Sequence, residues 1–189
     1  WIHQEGTNGR RVILVATKVL EHHDDYAVKE EQHGLTLSGG ISFVDPIKPS
    51  TKAAIANAHR LGVQIKILTG DSAEVAYAVG KAIELVTTTE DVMTGEAWER
   101  LTPKNRRAAA LHHAVFARVS PEQKFLLIQA LQETHDVGFL GEGINDAPAL
   151  KIANIGLVVQ GASDVAREAA DVILLRASLD VIVQGMRMG

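Results

Sequence analysis

From residue 44 onward, short apolar segments rich in β-branched residues alternate with helical patterns, and this alternation constrains the fold more than any other feature. The clearest apolar segments are 63–68, 114–119, 137–140 and 155–159. Short connections between such segments indicate repeated strand–helix–strand units, which form parallel sheets with helices on both faces. We therefore predict an α/β chain with a doubly wound, mainly parallel sheet.

Helix-start signals support this reading of the chain. Ser72 precedes a predicted helix that extends to Leu85, and Ser120 with Pro121 precedes another that extends to Gln132. A serine side chain can accept a hydrogen bond from the first turn of a helix, and proline fits the first helical position. We expect Ser72 and Ser120 to be N-caps.

Composition excludes some classes of function. The chain has no cysteine, so disulfides and thiolate metal sites are excluded. The net charge is −4, whereas a nucleic-acid-binding surface shows a basic excess, so we expect no nucleic-acid partner. The most apolar long segment, 171–188, is interrupted by charged residues, and we predict no membrane span. The chain begins with Trp1, and we expect it to be a piece of a longer protein.

Polar residues follow two of the predicted strands, where a doubly wound sheet binds its ligands. Thr69, Gly70 and Asp71 come directly after the first of these strands, and Lys124 lies one turn into the helix after the second. A hydroxyl, a backbone N–H and an ammonium group could bind a phosphate. The alternatives are an ordinary strand-to-helix turn and a solvated lysine.

The segment after the next strand, Gly141–Pro148, is more specific. Glu142, Asn145 and Asp146 provide oxygen ligands beside two glycines. Oxygen ligands suit Mg²⁺, which proteins often share with a phosphate. The alternative is an acid-rich turn with a helix cap. Taken together, the three strand ends predict a site for a phosphorylated carboxylate and Mg²⁺.

Several segments resemble, in order, the signature segments of the haloacid dehalogenase superfamily and, within it, the P-type cation-transporting ATPases. The similarity is closest to the magnesium-transporting and proton-type branches and extends over residues 10–188. The segments that carry it are Asp45–Ile55, Thr69–Asp71, Phe116–Lys124, Gly143–Leu150 and Gly161–Leu175. The resemblance implies that residues 1–34 end a nucleotide-binding domain and that residues 35–189 form a haloacid dehalogenase-like phosphorylation domain.

The resemblance also implies the site's chemistry and the roles of its residues. A phosphoryl group would pass from ATP to an aspartate and then to water. The implied catalytic residues are Thr69, Gly70, Asp71 and Lys124, with Thr69 and Gly70 holding the phosphoryl oxygens and Lys124 neutralising them. Asp45 and Asn145 would support nucleotide and acyl phosphate, and Glu142 and Asp146 would bind Mg²⁺.

The implied whole protein is an ATP-driven cation pump with membrane spans, and this chain would be a soluble part on the cytoplasmic face. The transported cation and the rest of the pump would be its partners.

Two departures from the family pattern leave alternatives open. The family nucleophile lies in a DKTGT-type segment, which this chain lacks. The chain also has Glu142 where the family usually has aspartate. Two alternatives are therefore a non-catalytic domain from a truncated pump and a stand-alone phosphatase of the same superfamily.

Overall fold

The computed structural model describes residues 1–19, 33–176 and 178–188. Its helices are α1 (Ile2–Thr7), α2 (Thr51–Arg60), α3 (Ala73–Ala82), α4 (Gly95–Glu99), α5 (Pro103–His112), α6 (Pro121–Gln132), α7 (Ala147–Ile152), α8 (Asp164–Ala169) and α9 (Leu179–Met188). Its strands are β1 (Arg10–Thr17), β2 (Thr36–Val44), β3 (Ile67–Leu68), β4 (Val92–Thr94), β5 (Val115–Ala117), β6 (Gly138–Gly141), β7 (Ile155–Val159) and β8 (Val172–Leu174). Residues 20–32, part of the expected nucleotide-domain remnant, lie outside the described residues.

Strands β3 to β8 form two parallel sheets of three strands each. β5 lies between β3 and β4 in one sheet, and β7 lies between β6 and β8 in the other. Helices connect the successive strands, as the strand–helix alternation predicts. The prediction of a mainly parallel α/β fold is confirmed.

The helix starts confirm both predicted N-caps. The Ser72 hydroxyl accepts a hydrogen bond from the N–H of Val75 at 3.4 Å. At the start of α6, the Gln123 N–H donates to the Ser120 hydroxyl, and the Ser120 N–H donates to the Gln123 side chain, both at 3.1 Å. This reciprocal pair satisfies donors that a helix N-terminus otherwise leaves unpaired. It therefore fixes where α6 begins.

Each parallel sheet has its own apolar core. Trp98, Phe116 and Leu127 are at most 2% exposed and pack together beside the β3–β5–β4 sheet. Leu150 and Val158 are buried together beside the β6–β7–β8 sheet. Burial of each large apolar side chain contributes about 1.5–3 kcal/mol. Helix α6 of the first part packs against α7 of the second, so the two cores are joined through their helices.

Strands β1 and β2 form an antiparallel ribbon beside the parallel sheets. Arg10 lies opposite Val44, and Thr17 lies opposite Thr36. The pairing joins residues on both sides of position 34, where the sequence suggested a domain boundary. Helix α1 packs against both β1 and α3 and so attaches the ribbon to the rest of the chain.

Within the described ranges, no helix combines the length and the apolar character that crossing a bilayer requires.

Candidate active site at the strand ends

Lys124 and Asp146 meet at the carboxyl ends of the parallel strands. The Lys124 Nζ lies 2.7 Å from the Asp146 Oδ1, and the two side chains are 15% and 14% exposed. Lys124 follows β5 and Asp146 follows β6, so the carboxyl ends of the two sheets lie at the same edge. The sequence predicted this convergence, and the two residues are in direct contact.

The charge of Asp146 is stabilised despite partial burial. Burial alone would raise its pKa, but the Lys124 ammonium and two backbone N–H groups together lower the pKa below its usual value. Those N–H groups belong to Glu142 and Gly143, and each donates to the Asp146 Oδ2 at 3.2 Å. Asp146 is therefore a carboxylate at neutral pH, with a defined orientation.

Gly141 makes room for that carboxylate. A Cβ at position 141 would lie 2.7 Å from the Asp146 Cβ, closer than real Cβ contacts come. Any larger residue would have to move Asp146 or the end of β6. The first glycine of the segment is thus required by packing against the acid that follows it.

The Thr69–Gly70–Asp71 loop is bonded to the loop after β5. The Val119 N–H donates to the Thr69 carbonyl at 2.9 Å, and the Arg118 N–H donates to the Asp71 carbonyl at 2.8 Å. Arg118 has a φ of 49°, in the left-handed region that costs a non-glycine residue about 1–3 kcal/mol. Gly70 is exposed, so its backbone can be approached by a ligand.

Asp71 binds a residue that the sequence reading did not single out. The Arg11 Nε lies 2.8 Å from the Asp71 Oδ1, and the Arg11 Nη2 donates to the Asp71 Oδ2 at 2.8 Å. Arg11 lies on β1, 60 residues before its partner. No local pattern links the two positions, because the contact depends on how the ribbon lies against the sheet.

The remaining predicted residues lie at the surface around this edge. Glu142, Asn145 and Asp45 are exposed. Glu142 lines the same cavity as Asp146 and Lys124. No hydrogen bond in the described part of the chain connects Asp45 or Asn145 to the Lys124–Asp146 pair.

The acidic residues fit Mg²⁺ in number and kind. Mg²⁺ is usually held by one or two carboxylates together with water and substrate phosphates. Glu142 and Asp146 provide two carboxylates on one cavity. In the described ranges, no group of three or more acidic or histidine side chains is arranged to hold a metal. A metal here would therefore depend on ligands beyond these two carboxylates.

An open cleft separates the two parallel sheets. A cavity of about 280 Å³ is lined by Leu68 of β3 and by Phe139, Leu140 and Gly141 of β6, with Lys124 and Asp146 at its polar end. β3 pairs only with β5 and β6 pairs only with β7, so each has one edge without a strand partner among the described residues. Leu140 is 40% exposed although it lies in an apolar strand.

The comparisons with known proteins agree with the motifs. The chain is 40% identical over 185 residues to "Magnesium-transporting ATPase, P-type 1" of Salmonella typhimurium, which covers 96% of this chain and 20% of that relative. It is 37% identical over 170 residues to a cation-transporting ATPase of Synechocystis, a match that covers 88% of this chain and 19% of that relative. It is 33% identical over 180 residues to calcium-transporting ATPase 1 of Lactococcus lactis, a match that covers 95% of this chain and 20% of that relative.

These relatives confirm the resemblance to P-type cation-transporting ATPases, and the chain spans about a fifth of their length. The model of the haloacid dehalogenase-like hydrolases matches residues 8–154, which is most of the chain. That range includes β3, β5 and β6 and the polar residues that follow them. The chain belongs to the haloacid dehalogenase-like hydrolase family.

Proposed function

We propose that the chain is part of the phosphorylation domain of an ATP-driven cation pump, on the cytoplasmic face of a membrane. The pump forms and hydrolyses an aspartyl phosphate, and the aspartate comes from a segment that this sequence does not contain. The observation that carries the proposal is the cleft between β3 and β6, which brings Leu68, Phe139 and Leu140 together with Lys124 and Asp146. An apolar strand that ends in an aspartate fits both features.

The proposed catalytic roles follow from position and charge. Lys124 offsets the negative charge of the phosphoryl oxygens, and Asp146 holds Lys124 in place at 2.7 Å. Thr69 and Gly70 offer a hydroxyl and a backbone N–H to the same oxygens, and Asp71 fixes their loop through its backbone carbonyl. Phosphoryl transfer requires positioning and charge stabilisation more than covalent chemistry from the protein.

Mg²⁺ and ATP are the proposed cofactors. Glu142 and Asp146 would hold Mg²⁺, which supplies positive charge to the phosphoryl oxygens when bound. Asn145 would support the acyl phosphate from the turn that precedes α7. Asp45 directly follows β2, the strand that pairs with β1, and would act at the hinge beside the nucleotide.

We also propose how this chain fits into a larger protein. Residues 1–34 would be the end of a nucleotide-binding domain and residues 35–189 a phosphorylation domain. The rest of the pump, with its membrane spans, would be the partner. The relatives are named as magnesium-transporting and calcium-transporting ATPases, so we assign no particular cation.

The experiment supplies the missing strand in trans. A peptide of six apolar residues followed by DKTGT is added to the chain, and calorimetry measures binding of beryllofluoride, a mimic of the phosphoryl group, with Mg²⁺ present. We expect binding with this peptide and none with a matched peptide that carries NKTGT. Equal binding with both peptides, or with neither, would contradict the proposal.

One observation favours a second candidate, a non-catalytic domain of a truncated pump. Glu142 is one methylene longer than the aspartate that the family pattern has, and Mg²⁺ demands near-ideal octahedral geometry at about 2.0–2.1 Å. If only Glu142→Asp binds Mg²⁺ and beryllofluoride with the DKTGT peptide, the natural chain lacks a functional metal site, and the second candidate replaces the first.

A further inference from the structure

Arg11 contacts the candidate site from outside the parallel sheets. Its guanidinium group contacts both carboxylate oxygens of Asp71, with a hydrogen bond from Nη2 and an ion-pair contact from Nε, both at 2.8 Å. A two-point contact of this kind fixes orientation as well as distance. Arg11 is carried by β1, so the contact joins the ribbon to the loop after β3.

Arg11 also lies among the acids that surround the site. The hydrogen bond to Asp71 raises the pKa of Arg11, and the negative charges of Asp71, Asp45 and Glu142 raise it further, in that order. These acids come from three different strand ends. A phosphate approaching them is repelled, and the positive charge of Arg11 reduces that repulsion.

The loop that Asp71 belongs to carries the proposed phosphate-binding groups. The Asp71 N–H donates to the Thr69 hydroxyl at 3.1 Å, so the position of Asp71 determines where that hydroxyl lies. The exposed Gly70 lies between them. A contact that fixes the Asp71 carboxylate therefore also fixes the positions of Thr69 and Gly70.

The ribbon has other attachments that do not involve Arg11. Arg10, the preceding residue, donates to the Glu5 carboxylate at 3.0 Å. Helix α1 packs against α3, and a Cβ at Gly6 would lie 3.2 Å from the Glu74 Cβ. Loss of the Arg11 contact therefore leaves the ribbon attached. The Arg11–Asp71 pair is available for a role other than holding the fold together.

We propose that Arg11 is a positioning residue for phosphate: it fixes the Thr69–Gly70–Asp71 loop through Asp71 and offsets the acidic charge around it. The inference rests on the proposed function, because it assumes that a phosphoryl group binds at this loop. Arg11 acts through Asp71 and does not touch the phosphate.

The test titrates the whole chain with inorganic phosphate and, separately, with MgCl₂, and follows the backbone amide of Gly70 by NMR. Arg11→Gln is expected to lower phosphate affinity about two- to fivefold, the range for one partly exposed ion pair. Its Mg²⁺ affinity is expected to stay the same or rise, since a positive charge near Glu142 is lost. If Arg11 only supported the fold, its substitution would lower the affinities for phosphate and for Mg²⁺ together.

Two variants serve as controls. Arg10→Gln removes the same charge from the adjacent position, and Arg10 is paired with Glu5 rather than with Asp71, so both affinities should match the natural chain. Arg11→Lys keeps the charge but cannot contact both carboxylate oxygens in this two-point geometry. It should bind Mg²⁺ like the natural chain and phosphate with an intermediate affinity.

The outcomes separate this inference from the function on which it rests. If Arg11→Gln binds phosphate as well as Arg10→Gln does, Arg11 has no positioning role, and the proposed function is untouched. If Arg11→Gln lowers the affinities for phosphate and Mg²⁺ equally, the role of Arg11 is structural, and the inference is again overturned. If the natural chain shows no phosphate response at Gly70, the inference fails, whereas the proposed function is judged by beryllofluoride binding with the DKTGT peptide.

Discussion

At the scale of single residues, the site depends on close packing behind the charged groups. Gly141 and Asp146 are in contact across one turn, and Lys124 completes the arrangement with one ammonium-to-carboxylate contact. The steric fit at Gly141 and the ion pair of Lys124 can be tested separately, each by one substitution.

Gly141→Ala should displace Asp146, because its added Cβ would lie 2.7 Å from the Asp146 Cβ. We expect a loss of about 1–3 kcal/mol in the free energy of unfolding, the usual cost of overpacking. Gly138→Ala on the same strand is the control, since its nearest contact would be an ordinary 3.6 Å. Urea denaturation compares the two variants, and equal stability would show that Asp146 can move without cost.

Lys124→Met should leave the Asp146 carboxylate partly buried without its cation. We expect a loss of about 1–3 kcal/mol in stability at pH 7 and a higher Asp146 pKa. The exposed pair Lys52–Glu84 is the matched control, with side chains 56% and 76% exposed, so Lys52→Met should change stability by less than about 0.5 kcal/mol. NMR titration measures the Asp146 pKa, and urea denaturation measures the stability of both variants. Similar losses for the two variants would show that burial adds nothing to the Lys124 pair.

At the scale of elements, capping interactions set where short helices begin and how stability depends on pH. The 3₁₀ turn Thr89–Asp91 precedes β4 and is held by the Asp91 carboxylate. That carboxylate accepts hydrogen bonds from the N–H groups of Thr87 at 2.8 Å and Thr88 at 2.7 Å. These bonds lower the pKa of Asp91 from 3.8 to about 2.

Because the pKa of Asp91 is lower in the folded chain than in the unfolded chain, its contribution is complete above about pH 4 and disappears as pH falls to 2. Asp91→Asn should therefore be less stable than the natural chain at pH 7, and the difference should shrink between pH 4 and 2. Urea denaturation at several pH values measures this difference. Glu90→Gln removes a charge from the same turn and should leave stability at pH 7 unchanged. A pH-independent difference for Asp91→Asn would contradict the assignment.

The sequence predicted most elements because their determinants are local. Ser72 and Ser120 cap their helices within three residues along the chain, so their role can be recognised from spacing alone. The strand expected over 63–68 is an exception, since only Ile67–Leu68 forms β3. The reason is the end of α2, where Gly62 has a φ of 78° and the Val63 N–H donates to the Ala58 carbonyl. That helix-ending turn takes up Val63, the first residue of the expected strand.

The site was predictable in part for the same reason. Lys124 and Asp146 follow strand ends of one parallel fold, and topology brings such positions to one edge. Arg11 was not predictable, because its contact with Asp71 spans 60 residues and depends on the placement of the ribbon. The contact of Asn154 was not predictable either: its Oδ1 accepts a hydrogen bond from the Val137 N–H at 2.9 Å, 17 residues earlier in the chain.

At the scale of the whole molecule, the two parallel sheets of three strands flank a cleft, and the β1–β2 ribbon lies beside them. The backbone along that cleft can be identified on the β3 side. The N–H groups of Ile67 and Thr69 donate to the carbonyls of Ala114, just before β5, and Phe116 of β5, at 2.8 and 2.9 Å. Because N–H directions alternate along a strand, the Leu68 N–H points the other way, into the cleft. A strand placed there would accept a hydrogen bond from it.

Hydrogen exchange at the Leu68 amide, with and without the peptide of six apolar residues followed by DKTGT, tests most directly whether a strand completes this fold. We predict fast exchange in the chain alone and at least about tenfold slower exchange with the peptide, as expected for an amide that gains a strand partner. The amides of Ile67 and Thr69, already bonded to the carbonyls of Ala114 and Phe116, should change little, as should those of β8 at the outer edge. Unchanged exchange at Leu68, or equal slowing at β8, would mean that the cleft does not select a strand, and the proposed completion of the site would be wrong.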